Sequence, residues 1–206
     1  MTKAIRFHQT GGPEVLVYED VQIGSPGVGQ ALVRNKVIGL NFIDTYHRSG
    51  LYPLPLPHGV GMEASGVVEA VGGGVTNVVP GDRVAYCAGP PGAYSEERII
   101  AADRLVRLPS SIEHEEAAAA MLKGLTVWYL TRRTYRVNPG ETVLFHAAAG
   151  GVGLIACQWL KALGAKVIGT VGSDEKAEIA KANGCDHTIV YTRENFEERV
   201  MEITDG

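Results

Sequence analysis

Cysteine is scarce in this sequence: Cys87, Cys157 and Cys185 are the only three in 206 residues, and they stand far apart. An odd, scattered set argues against a disulfide framework and against a Cys-x-x-Cys metal site, and it fits a reducing, cytoplasmic setting. No apolar run reaches the ~18 residues that a membrane span requires. The first residues, Met1-Thr2-Lys3-Ala4-Ile5-Arg6, pass straight into a strand pattern and carry no apolar stretch of a secretory signal. An excess of basic charge is also lacking. Lys and Arg total 19 against 23 Asp and Glu, a net charge of −4 with the signs interspersed, so no nucleic-acid footprint is expected. With 45% hydrophobic and 20% charged residues, the composition is that of a globular chain large enough for one large domain or two small ones.

What is abundant is glycine, 26 residues, and its distribution divides the chain. Residues 1–125 read as β-rich. Segments 1–7 and 30–38 alternate or run apolar, and 66–71 and 83–85 are short β-branched runs. Between them lie the turn signals Gly11-Gly12-Pro13, Ser25-Pro26-Gly27, Gly72-Gly73-Gly74 and Pro80-Gly81-Asp82. Many short strands joined by such turns predict a compact, barrel-like domain. Leu51-Tyr52-Pro53-Leu54-Pro55-Leu56-Pro57 predicts an irregular surface loop, because its prolines remove backbone donors. A helix is predicted over 112–130, with Glu113, Glu115 and Glu116 near its positive end and an interruption at Gly124. From about residue 140 the rhythm changes. Strands are predicted over 141–146, 165–170 and 187–191, and helices over 150–163, 174–182 and 194–203. This alternation predicts βαβ units on a parallel sheet.

One motif sits at the first strand-to-helix junction: His146-Ala147-Ala148-Ala149-Gly150-Gly151-Val152-Gly153. There the chain must turn tightly, bring backbone N–H groups close to a pyrophosphate and pack a helix against its strand. Small residues permit all three, so Ala149, Gly150, Gly151, Val152 and Gly153 are candidate dinucleotide-binding residues, with Ala147 in the place of a first glycine. The end of the next strand discriminates between dinucleotides. NAD sites carry an acid there for the ribose diol. Here the sequence reads Thr170-Val171-Gly172-Ser173-Asp174-Glu175-Lys176, and the acid position falls on Gly172 or Ser173. Ser173 can donate to a phosphate, and Lys176 can reach back from the next helix, which favours NADP. The alternative is a solvated Lys176 with Asp174 as a helix cap.

Six stretches carry a wider likeness: Gly11-Gly12-Pro13-Glu14-Val15-Leu16, Gly39-Leu40-Asn41-Phe42-Ile43-Asp44-Thr45-Tyr46, Arg48-Ser49-Gly50-Leu51-Tyr52-Pro53, Gly81-Asp82-Arg83-Val84, Lys123-Gly124-Leu125-Thr126 and the loop from His146 to Gly153. Through them the chain resembles the zinc-free quinone oxidoreductases, the zeta-crystallin branch of the medium-chain dehydrogenase/reductase superfamily. The resemblance implies an α/β protein: a GroES-like β-barrel domain over 1–125, then the first half of a Rossmann doubly wound parallel sheet over 126–206, with NADPH as cofactor. It also implies more than a hundred further residues after Gly206, with the second wall of the cofactor crevice and the family's homodimer contact among them. On that basis the 206 residues alone are expected to bind NADPH poorly.

The superfamily's alcohol dehydrogenases hold a catalytic zinc, and its ligand places align here with Asn41, Met62 and Leu122. Cys87 stands alone where a four-cysteine lobe would begin, and His58 reads as a loop histidine. No metal is therefore expected. Hydride chemistry on a quinone or enone then needs a hydrogen-bond donor at the oxygen that gains charge. The resemblance points to Asn41, Tyr46 and Tyr52 at the nicotinamide end, to Lys123 and Thr126 beside the carboxamide, and to Tyr191 near the adenine-side phosphate. Against these roles stand plainer ones: a turn residue for Asn41, a loop aromatic for Tyr52, ordinary helix residues for Lys123 and Thr126. The expected activity is NADPH:quinone oxidoreduction. The alternatives are a zinc-free enone or enoyl-thioester reductase, a non-catalytic NADPH-binding protein and an inactive fragment.

Overall fold

The computed structural model describes all 206 residues. It divides into two compact units, Met1–Leu122 and Lys123–Gly206.

The first unit is built on two antiparallel sheets. Strands β1 (Thr2–Phe7), β2 (Leu16–Val21) and β4 (His58–Gly59) form one, in the order β2-β1-β4. Strands β3 (Gln30–Gly39), β5 (Glu63–Val71), β6 (Arg83–Cys87), β7 (Glu97–Ala101) and β8 (Val106–Arg107) form the other, in the order β7-β3-β5-β6-β8. The long β3–β5 ladder carries two register shifts, which bend the sheet over its contents. Alternate residues of these strands, among them Val33, Ala64, Val68, Val84, Tyr86 and Ile100, bury one face as a single apolar core. Tyr86 is enclosed there with its phenol donating to Asn35 at 3.0 Å, so the ring is buried without stranding its hydroxyl.

Local signals were weaker in this unit than the structure requires. Helix α1 (Phe42–Ser49) was not expected from the pattern. It holds because Asn41 and Asp44 form a capping box, the Asn41 backbone N–H donating to Asp44 Oδ2 at 3.0 Å, and Gly50 closes it with φ of +84°. His58 lies in the short strand β4 rather than in a loop, because the extended backbone at 58–59 pairs with Phe7 and Arg6. The proline-rich stretch after α1 is irregular, as expected, and exposes Leu51, Tyr52 and Leu56.

Helix α2 (His114–Tyr129) runs without a break through Gly124, which corrects the expected interruption. A single glycine costs a helix interior only about 1 kcal/mol relative to alanine, too little to break a helix this long. The helix ends instead in a wider turn over Leu130–Thr134, with the Tyr135 N–H donating to the Leu130 carbonyl at 3.2 Å.

The second unit carries a parallel sheet, β9 (Thr142–Phe145), β10 (Lys166–Val171) and β11 (His187–Val190), in the order β11-β10-β9. Helices α3 (Gly151–Ala162), α4 (Asp174–Ala182) and α5 (Phe196–Thr204) follow the strands in turn. This is the 3-2-1 half of a doubly wound sheet. Val137, Leu160, Val167, Val171 and Ala180 fill its core. Cys157 and Cys185, far apart in sequence, meet inside it as free thiols with sulfurs 3.3 Å apart. Hydrogen bonding between them holds the Cys157 thiol below the usual range and pushes Cys185 above it. No helix in the chain is long and apolar enough to cross a membrane.

The β9–α3 junction sets the geometry of this unit. Ala147 adopts the left-handed conformation, φ +53°, which glycine would enter without strain. Its carbonyl accepts the Gly150 N–H at 2.8 Å, closing a tight turn. At Gly153 a Cβ would overlap the Ala147 and Ala148 carbonyl groups, backbone atoms that cannot swing aside. Gly153→Ala is therefore expected to lower stability by about 1–3 kcal/mol. Ala147→Gly is expected to hold or raise it, because relief of the left-handed strain offsets the added freedom of the unfolded chain. Denaturation midpoints of the two variants against the parent check both signs.

Candidate functional site

The candidate residues fall into two groups, one in each unit.

In the second unit, five of the residues picked from the sequence line one small cleft of about 120 Å³: Ala149, Gly150, Gly172, Lys176 and Tyr191, together with Ala147 and Val171. The cleft lies at the carboxyl ends of β9, β10 and β11, where doubly wound sheets bind their ligands. Gly150 is the N-cap of α3, and no side chain caps the first N–H groups of the helix. By contrast α4 and α5 are capped by the side chains of Ser173 and Asn195. Gly151 and Val152 form the first turn of α3, and the aliphatic stem of Lys123 passes so close to Gly151 that a Cβ there would lie 2.9 Å from Lys123 Cε. Thr126 stands three residues further along α2, on the same face as Lys123.

At the end of β10, the Tyr191 hydroxyl would lie 2.9 Å from a Cβ on Gly172. A side chain at 172 would therefore have to displace the exposed Tyr191 phenol. Ser173 accepts the Lys176 backbone N–H at 3.3 Å and keeps its own O–H proton for another acceptor. These features suit a phosphorylated dinucleotide: uncapped helix N–H groups for the pyrophosphate, and Ser173 and Lys176 for a 2′-phosphate. At the back of the loop His146 Nδ1 meets Thr170 Oγ1 at 3.0 Å, and its ring packs edge-on against Phe196.

In the first unit, Asn41 is the N-cap of α1 and is buried, while Tyr46 lies on the helix and Tyr52 in the loop beyond it. The two tyrosine rings meet edge to face with centroids 5.4 Å apart, and the Tyr52 N–H donates to the Tyr46 carbonyl at 3.1 Å. Tyr52 is half exposed.

The structure shows one residue that the sequence reading passed over. Glu63, on β5, is completely buried. Its Oε2 accepts from Asn41 Nδ2 at 2.8 Å and its Oε1 from the Leu122 backbone N–H. Asn41, Leu122 and the neighbour of Met62 thus meet at one carboxylate. The places that align with a metal-ligand set carry an amide, a thioether and an alkyl side chain here. Two of them are joined by hydrogen bonds to Glu63. The amide of Asn41 has two N–H groups, so one bond to Glu63 orients the group and leaves a second donor. The signal for Glu63 was an acid inside the run Glu-Ala-Ser-Gly-Val-Val, directly after Met62. Nearby, Asp44 accepts the Tyr94 hydroxyl at 3.0 Å. Burial holds the neighbouring His47 imidazole below its usual range. A larger groove of about 480 Å³, lined in part by Ile5, Tyr18, Ile38 and Tyr94, contains none of the candidate residues.

Comparison with known proteins finds matches to both units. The model of the alcohol dehydrogenase GroES-like domain matches residues 27–110, and that of the zinc-binding dehydrogenases matches 151–206. The two matched models are both of dehydrogenase domains, one for each unit. Over its whole length the chain is similar to proteins named quinone oxidoreductase. It is 60% identical to the quinone oxidoreductase of Pseudomonas aeruginosa, over all of this chain and 64% of that protein. The solved structure of Escherichia coli quinone oxidoreductase complexed with NADPH superposes with a TM-score of 0.97 at 55% identity, covering 99% of this chain and 63% of that one. A 2-haloacrylate reductase from a Burkholderia species is 50% identical over all of this chain and 64% of its own length. The chain thus spans under two thirds of the length of the relatives it matches.

Glu63→Gln keeps the shape of the side chain but turns an N–H₂ toward one of its two donors. It is expected to cost about 1–3 kcal/mol, since a buried hydrogen bond is lost and two N–H groups are set facing each other. Thermal unfolding together with the Asn41 side-chain amide resonance checks both the cost and the release of Asn41.

Proposed function

We propose that the protein acts as an NADPH-dependent quinone oxidoreductase, working without a catalytic metal. The observation that carries the reading is the cleft formed by Gly150, Gly172, Lys176 and Tyr191 at the uncapped start of α3. It offers positive charge and donors where a 2′-phosphate needs them, and it has glycine and serine where an acid would hold a ribose diol. NADPH, when bound, supplies a hydride. The residues of the chain position and polarise. The Gly150–Gly151–Val152–Gly153 turn holds the pyrophosphate by backbone N–H groups, and Ser173, Lys176 and Tyr191 hold the adenine end. Lys123 and Thr126 serve the carboxamide side. Asn41, oriented by Glu63, and the phenols of Tyr46 and Tyr52 serve as donors to the substrate oxygen that becomes negative.

A second reading is reduction of an activated alkene, such as an enone or a 2-haloacrylate. It is favoured by the 50% identity to the 2-haloacrylate reductase, and it asks for the same donor set. In both readings the partner is a small molecule rather than nucleic acid or membrane. The cysteine content supports a cytoplasmic setting, and the assembled form is read as a homodimer of the longer family chain.

The test is NADPH consumption against a panel of quinones, enones and 2-haloacrylates, with elemental analysis for zinc. Turnover of quinones without stoichiometric zinc supports the proposal, preference for the haloacrylates supports the second reading, and zinc-dependent activity refutes both. NADPH is expected to bind more tightly than NADH. Lys176→Ala is expected to weaken NADPH about tenfold or more, the equivalent of one charge-assisted hydrogen bond. Equal affinities for the two cofactors would overturn the assignment of the adenine end.

A further inference from the structure

The loops that follow β10 and β11 are fastened to each other at three points. The Tyr191 N–H donates to the Val171 carbonyl at 3.1 Å, and the Thr192 hydroxyl donates to the Gly172 carbonyl at 3.3 Å. Beyond them the Arg193 guanidinium takes both carboxylate oxygens of Asp174, Nη1 meeting Oδ2 at 2.7 Å and Nη2 meeting Oδ1. Asp174 is the first residue of α4. It sits between the Ser173 cap and Lys176, in the same turn as the groups assigned to the 2′-phosphate.

A free carboxylate in that turn would act in two ways. It would repel a phosphate dianion, and it would offer a hydrogen-bond acceptor to a bare ribose diol, as the acid of NAD sites does. The fork of an arginine matches both oxygens of a carboxylate and adds a fixed positive charge. Arg193 holds the Asp174 carboxyl below its usual range, and its own guanidinium is raised in return. Both side chains are well exposed, so the pair contributes little to folding stability. Its consequence lies in the charge presented to a ligand.

We propose that Arg193 is a specificity-determining residue for the phosphorylated dinucleotide, acting by occupying the Asp174 carboxylate rather than by gripping the phosphate. The proposal rests on reading the cleft as an NADPH site. It implies that the charge of Asp174 is harmless to a 2′-phosphate only while Arg193 is present. It also implies that Asp174 becomes a ribose-diol acceptor once Arg193 is removed.

The experiment uses adenosine 2′,5′-bisphosphate and 5′-AMP, which probe only the adenine end. They are titrated at low salt into the 206-residue chain while amide chemical shifts are followed. The variants are Arg193→Ala, Arg193→Gln, Asp174→Ala and the double variant Arg193→Ala/Asp174→Ala, each checked for folding by circular dichroism. The expected result is that either Arg193 variant lowers the bisphosphate-to-AMP affinity ratio about tenfold, the size of one charge-assisted contact. Asp174→Ala is expected to keep or raise the parent ratio, since it frees a cation, and the double variant to return to within about twofold of the parent, since the carboxylate that Arg193 masks is then gone. An unchanged ratio in the Arg193 variants overturns the proposal. So does a double variant as poor as Arg193→Ala, because that result means direct contact with the phosphate. If the parent chain binds neither probe, the reading of the cleft fails and the proposal falls with it. If the parent prefers the bisphosphate and the Arg193 variants do too, only the proposal fails.

Discussion

The close approach of the first turn of α3 to the carbonyls at the end of β9 is the constraint on which the second unit depends. Gly153 lies so near the Ala147 and Ala148 carbonyls that no side chain fits between them. That contact seats α3 directly on the sheet and leaves its first N–H groups facing the carboxyl ends of the strands. The left-handed alanine at 147 is the local cost of the turn, of a kind often stored at ligand-binding loops. Loosening the contact would move the helix dipole, the uncapped N–H groups and the wall of the cleft together.

The same architecture treats its helix starts in two ways. Asn41, Ser173 and Asn195 close α1, α4 and α5 with their own side chains, whereas α3 begins with glycine. Capping satisfies orphan donors internally and makes a helix a structural strut. An uncapped start keeps those donors for an anion. Among these four helices, α3 is the one whose first turn receives no side-chain cap.

This division explains which parts were legible in the sequence. The loop from His146 to Gly153 was readable because glycine and alanine there answer a backbone requirement. Gly172 and Lys176 fall together in one cleft because strand ends have fixed positions in a βαβ unit, and Tyr191, picked from the resemblance, lines the same cleft. Helix α1 was not readable, since its eight residues carry no long periodicity and its capping box is hidden among Asn41 and Asp44. Gly124 was overread: glycine marks a weak point in a helix, and packing decides whether the helix breaks. Glu63 and Arg193 escaped for a different reason. Each acts through a partner distant in sequence, Asn41 and Leu122 for one and Asp174 for the other, and such pairings exist only once the chain has folded.

The shared carboxylate of Glu63 has a consequence for how this protein can change. One buried acceptor serves a side chain on α1 and a backbone N–H on α2. A Cβ at Gly39 would also press within 2.8 Å of its carboxyl carbon. A drift at any one of these positions meets a penalty set by the others: a non-donor at 41 removes one hydrogen bond from the buried carboxyl, an apolar residue at 63 removes the acceptor that Asn41 and Leu122 share, and bulk at 39 presses on the same carboxyl. Substitutions here are therefore epistatic. A change of side chain at 41 is expected to be tolerated only together with a change at 63 or 39.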